Sequence, residues 1–144
     1  MTLPTESWLF WALLSAFFAA LTAIFAKIGV ENVDPDFATF IRTIVIVLAA
    51  AGIMLAAGHW QPPQTVAGRT WIFLILSGLA TGASWLCYFR ALKLGPAGQV
   101  APIDKLSVVL VAIVAVAFLG ERYSPLSWLG IALIGSGAVL VALQ

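Results

Sequence analysis

The residues able to do chemistry in this sequence are few, and most are charged groups set inside apolar stretches. Asp104 and Lys105 stand side by side in LGPAGQVAPIDKLSVVLVAIVAVAFLGE, residues 94–121. That stretch opens on a Gly/Pro turn and is long enough to cross a bilayer. A charge in hydrocarbon costs at least about 2.5 kcal/mol unless it is paired, hydrated or snorkelled to the surface. Pro102, two residues before the carboxylate, cannot donate to the carbonyl of Gly98. This leaves an acceptor one turn from Asp104 and invites water. Asp104 and Ser107 are expected to share a helical face, so the hydroxyl can bond the ionised acid. Such a carboxylate can take up and release a proton, or it can form a structural ion pair with Lys105, Lys27 or Arg42.

A second group is cationic. Lys27, Arg42, Arg90, Lys93 and Lys105 all fall toward the side of the first and third connections. Side chains lean toward their helix's N-terminus. Arg42 and Lys105 therefore lean to the nearer surface and can snorkel, whereas Lys27 and Arg90 lean toward the bilayer centre. One reading is a cationic patch around one carboxylate, favouring anionic or zwitterionic ligands. The other is a positive belt on the cytoplasmic face with no ligand role.

A third group is polar. Ser77, Thr81, Ser84 and Tyr88 recur at helical spacing, and Gly78, Gly82 and Trp85 lie on the neighbouring stripe. Such a stripe either bonds a neighbouring helix or lines a wet cavity, with Trp85 and Tyr88 as flat binding surfaces. Gly78 and Gly82 permit close helix approach, as do Gly130 and Gly137 on the final segment.

The elements that carry these groups follow from composition. Of 144 residues 62% are hydrophobic and 9% charged, against about 25% charged in soluble domains, so the chain is read as an integral membrane protein in the lipid bilayer. A formal charge of +1 without a basic run gives no sign of nucleic-acid binding, and none is expected. Cys87 has no second cysteine to pair with and reads as packing, and His59 reads as a solvated loop residue. No metal-ligand cluster, phosphate loop or nucleophile–base pair is present in the sequence, so neither an enzyme nor a cofactor is expected. The segment before Trp8 has no Lys or Arg, only Glu6, and does not read as a cleaved signal.

Five apolar segments are expected as helices at about 7–28, 36–57, 69–92, 97–119 and 125–143, forming one domain over 1–144. Ser124 and Pro125 give the last its N-cap and first position. Five crossings put the termini on opposite sides. Counting Lys27, Arg42, Arg90, Lys93 and Lys105 against Arg69 and Arg122 favours N-out, C-in.

The runs GLATGASWLCYFRALKLGPAGQVAPI (78–103) and FLGERYSPLSWLGIALIGSGAVLVAL (118–143) resemble the EamA domain of the drug/metabolite transporter superfamily. The cues are the LGPA turn, the early Pro102, the LGE of 119–121 and the Gly-rich last segment. The similarity is looser through Lys27 and Arg42. Members commonly carry two such units in inverted orientation, and this chain resembles the single-unit, five-helix ones. The resemblance implies an all-α membrane bundle forming half of an inverted-repeat transporter. It also implies a secondary carrier of small metabolites or drugs in a bacterial or archaeal inner membrane, proton-coupled or exchanging. Two copies, in antiparallel arrangement, would complete an alternating-access path near Asp104. That path would involve Arg42, Lys27, Lys105, Ser84, Trp85 and Tyr88. The competing expectations are a non-transporting subunit of another membrane protein and a passive channel.

Overall fold

The computed structural model describes residues 7–143; the expectation about Glu6 and the segment before Trp8 concerns residues outside that range. Among the described residues every regular element is helical. These are α1 (Trp8–Gly29), α2 (Pro35–Ala56), α3 (Gly68–Leu94), α4 (Ala97–Asp104), α5 (Ser107–Phe118) and α6 (Pro125–Ala142), with one 3-10 turn at Pro63–Thr65. Five spans among the described residues are long and apolar enough to cross a membrane, the fourth comprising α4 and α5 together. The five-helix, all-α membrane class expected from the sequence is the observed one.

Local chemistry fixes the ends. The Asp34 carboxylate accepts from the backbone N–H of Asp36 (2.9 Å) and of Phe37 (3.1 Å), and Pro35 occupies the first turn. Ser124 Oγ accepts from the N–H of Ser127 at 3.1 Å, again with proline following. Gly58, φ +68°, turns the chain just after α2, in a conformation that glycine adopts without strain.

The fourth span differs from the single helix expected over 97–119. It breaks at Lys105–Leu106. The N–H groups of Lys105, Leu106, Val108 and Val109 bond the carbonyls of Pro102, Ile103, Lys105 and Leu106, each three residues back, at 3.0 Å. The α-ladder is thus replaced by a tighter 3-10 pattern just beyond Pro102, whose ring has already removed one ladder donor.

Residues 7–28 and 94–143 form one compact unit, and residues 29–93 a second. In the first, the buried positions among the described residues are Ala23, Ala26, Ala112, Ala115 and Ala138. These are all small residues, as expected where helices in lipid gain by close van der Waals approach rather than by excluding water. Its tightest spot is Gly135 on α6, where an added Cβ would stand 3.1 Å from Val109 Cγ2 of α5. Gly135→Ala should be nearly silent in melting temperature, since the valine can give by a few tenths of an ångström. Gly135→Leu should lower stability by about 1–3 kcal/mol. An unchanged melting temperature for the leucine variant would show that α5 and α6 do not depend on this contact.

In the second unit the buried positions are larger: Val30, Thr39, Phe89 and Leu92. Lys93 Nζ donates to the carbonyls of Val30 (2.8 Å), Glu31 (2.6 Å) and Val33 (3.2 Å). One ammonium thus ties the turn before α2 to the end of α3. Elsewhere the large side chains point outward, Phe40, Leu79 and Leu110 among them. Contiguous apolar surface on this scale is untenable in water and is what a lipid-facing exterior requires.

Candidate functional site

In the unit of residues 29–93, α2 and α3 bring Arg42 and Trp85 together. The Arg42 guanidinium lies over the Trp85 ring, 4.0 Å from its centroid, and 5.5 Å from that of Phe89. Trp85 and Phe89 are four residues apart on α3 and so present one face. Arg42 lies about two turns inside its span. Half-buried Tyr88 is within electrostatic range of it, while Ser84 is exposed. The sequence grouped Arg42, Trp85 and Tyr88 as path residues but gave Phe89 no part. Its spacing after Trp85 was the available signal.

The polar stripe of α3 is only partly available to other groups. Thr81 Oγ1 donates to the carbonyl of Ser77 at 2.8 Å, one turn back in its own helix. A Cβ built at Gly78 or Gly82 would have no neighbour within 4 Å.

Arg90, read from sequence as an inward-leaning cation, has a dedicated partner. Its Nε donates to Asp36 Oδ1 at 3.0 Å and its terminal nitrogen to Oδ2 at 2.7 Å, a two-pronged pair. Asp36 was missed as anything but a helix start. The hint was positional, because antiparallel neighbours joined by 57–67 set the beginning of α2 level with the end of α3. If the pair orders these ends, Asp36→Arg should lower the melting temperature, and adding Arg90→Asp in the same chain should restore much of it. No restoration would mean that the pair is incidental.

In the unit of 7–28 and 94–143, Asp104 is half-buried at the last position of α4, where the fourth span breaks. Its Oδ2 accepts from Lys105 Nζ at 3.2 Å, with both side chains partly exposed. Lys105 is one of the three basic partners the sequence offered. Ser107 opens α5 on the far side of the break, and no Asp104–Ser107 bond forms among the described residues. Lys27 Nζ donates to the carbonyl of Gly95 at 2.8 Å, satisfying backbone at the Gly-Pro turn that leads into α4.

A groove of about 730 Å³ runs between α5 and α6, walled by Leu106, Val109, Leu110, Ala132 and Val139. Its hydroxyl, Ser136 Oγ, is spent on the carbonyls of Ala132 and Leu133. With no charged lining it suits hydrocarbon rather than a polar ligand. Outside the spans, Tyr123 donates to Glu121 at 2.6 Å. This holds the phenol above its ordinary pKa, because ionisation would forfeit the bond and set two negative charges together. No group of three or more metal-ligating side chains occurs among the described residues.

Five apolar spans with a few placed charges define an integral membrane protein. A profile of the EamA-like transporter family matches residues 6–143, and the chain belongs to that family. Among relatives, "Uncharacterized transporter in cobO 3'region" of Sinorhizobium sp is 63% identical, covering 96% of this chain and 98% of the relative. "Uncharacterized transporter YxxF" of Bacillus subtilis is 27% identical over 96% of this chain, which spans only 43% of that longer protein. "Probable 4-amino-4-deoxy-L-arabinose-phosphoundecaprenol flippase subunit ArnE" of Salmonella heidelberg is 33% identical over 68% of this chain and 94% of the relative. No solved structure matches.

Proposed function

We propose that the chain is a secondary transporter of small metabolites or drugs that works as a homodimer by alternating access in a bacterial or archaeal inner membrane. The observation that carries the transporter reading is the Sinorhizobium relative, which is named an uncharacterized transporter and is matched over 98% of its own length. A protein of this size therefore bears that name. The longer YxxF, of which the chain spans 43%, has room for a second such unit in one polypeptide. Here a second copy supplies it, and the path lies near the bilayer midplane where two such units meet.

Asp104 serves the path as the coupling carboxylate. It is supported by its half-buried position where the fourth span loses its α-ladder and by its ion pair with Lys105. Irregular backbone inside a span is tolerated where protein or water meets it, the setting in which a coupling ion is bound. Arg42, Trp85, Tyr88 and Ser84 supply the substrate-facing surface, and Lys27 adds positive potential. The test is reconstitution of the purified chain alone in liposomes. Saturable exchange of internal for external substrate is expected. Flux that never saturates would instead indicate a channel.

A second reading is favoured by one observation, the ArnE relative, which is named a flippase subunit and is spanned over 94% of its length. In that reading the chain assembles with another membrane protein and moves nothing alone. Absence of exchange from the purified chain, with activity returning on addition of solubilised native membrane, would decide for it.

A further inference from the structure

Four cations other than Arg42 have been placed, and each has an occupation. Arg90 is held two-pronged by Asp36, Lys93 by three carbonyls, Lys105 by Asp104, and Lys27 by the Gly95 carbonyl. Arg42 is different. Its neighbours are the faces of Trp85 and Phe89, with Tyr88 within electrostatic range, and among the described residues it makes no hydrogen bond or ion pair. Asp36, the acid on the same helix, lies about two turns nearer the membrane surface and spends both oxygens on Arg90.

An aromatic face attracts a guanidinium through its quadrupole but offers no acceptor for the N–H groups. A guanidinium held by its face keeps its planar edge of donors, the edge that matches the two oxygens of a phosphate or carboxylate. Leaving that edge unmet about two turns inside a span is costly, so the ordinary state of the site has an acceptor in it. The rings also fix the orientation of the edge in advance, so little is lost in ordering it when an anion arrives.

We propose that Arg42, laid over Trp85 and Phe89, is an oxyanion site inside the membrane span that takes the phosphate or carboxylate of an organic anion. Calling that anion a substrate rests on the transporter reading, whereas the site itself does not. The oxyanion can come from a water-soluble molecule or from a lipid headgroup, since both present the same oxygens.

The test uses the full chain in phosphatidylcholine nanodiscs, with phenyl phosphate as probe and benzyl alcohol as its uncharged control. Wild type should bind phenyl phosphate and not benzyl alcohol. Arg42→Gln should weaken that binding about 10–100-fold, the size expected for losing charge-assisted bonds. Arg42→Lys should fall between, keeping the charge but losing the planar edge. Repeating the titration in discs containing phosphatidylglycerol separates the sources. Competition that vanishes in Arg42→Gln assigns the site to a lipid headgroup, and undiminished phenyl phosphate binding assigns it to a soluble anion. If Arg42→Gln elutes misfolded, the Nε resonance of Arg42 in labelled wild type decides, because phenyl phosphate or phosphatidylglycerol should shift it. A resonance moved by neither, or a folded Arg42→Gln that binds as tightly as wild type, overturns the proposal. Arg42-dependent binding without flux would sink the transporter reading and leave the site standing, while flux without such binding would do the reverse.

Discussion

Asp104→Asn should abolish accumulation of substrate against a pH gradient while leaving the protein folded and able to bind. Each proton carried down one pH unit supplies about 1.4 kcal/mol, a tenfold accumulation ratio. With a gradient of two units and one proton per substrate, wild type should approach a ratio of about 100, and the variant should settle at about one. Substrate-for-substrate exchange should survive, since that half-cycle requires no net proton movement. The amide keeps the size of the carboxyl at the end of α4 but cannot cycle a proton or balance Lys105. The competing account is a structural pair with Lys105, in which the variant loses yield or melting temperature and keeps its coupling. Both side chains of the pair are partly exposed, so water can screen the lysine when its partner is neutral, and stability should change little. Uptake and melting must be measured on the same preparation. Gradient-driven accumulation at the wild-type level, whatever the stability, would end the coupling assignment.

The second large effect concerns assembly. If the proposed homodimer forms through α6, Gly130→Leu and Gly137→Leu should each weaken it about 10–100-fold, the equivalent of roughly 1–3 kcal/mol of overpacking at a close helix contact. An added Cβ at either position meets nothing within 4 Å in the chain itself, so the fold should tolerate the change. Gly135, about 140–160° round α6 from them, is the glycine that α5 already occupies. In the proposed dimer the helix would thus present its internal small-residue contact and its interface on different faces. In-membrane crosslinking through an engineered cysteine on α6 reads the outcome. A crosslinked dimer that persists in both leucine variants removes α6 from the interface. Antiparallel pairing has a check of its own, because a cysteine in the 119–124 loop should be labelled from both sides of the membrane. Labelling from one side alone excludes that arrangement.

The amino-acid sequence by itself determined the class of this protein. Apolar runs about 20 residues long, separated by Gly, Pro and charged turns, have one stable solution in a bilayer, because every backbone group must be bonded within its own segment. The ends of α6 were legible for the same kind of reason, since Ser124 and Pro125 act on backbone groups within one turn of themselves. The tertiary structure decided which charge meets which partner. Asp36 and Arg90 are 54 residues apart, and only the antiparallel meeting of α2 and α3 brings carboxylate and guanidinium within 2.7 Å. Arg42 over Trp85, Lys93 on the turn at 30–33, and Gly135 against Val109 were hidden likewise. Helical periodicity says which residues share a face but not which face another helix will cover. The break after Asp104 was half legible. Pro102 announced a missing donor, but the tighter bonding appears a few residues later, at Lys105 and Leu106, where the chain recovers its ladder before α5. In lipid, where water exclusion no longer ranks one apolar face above another, small residues and a few polar contacts decide how helices meet, and those become visible only once the chain is folded.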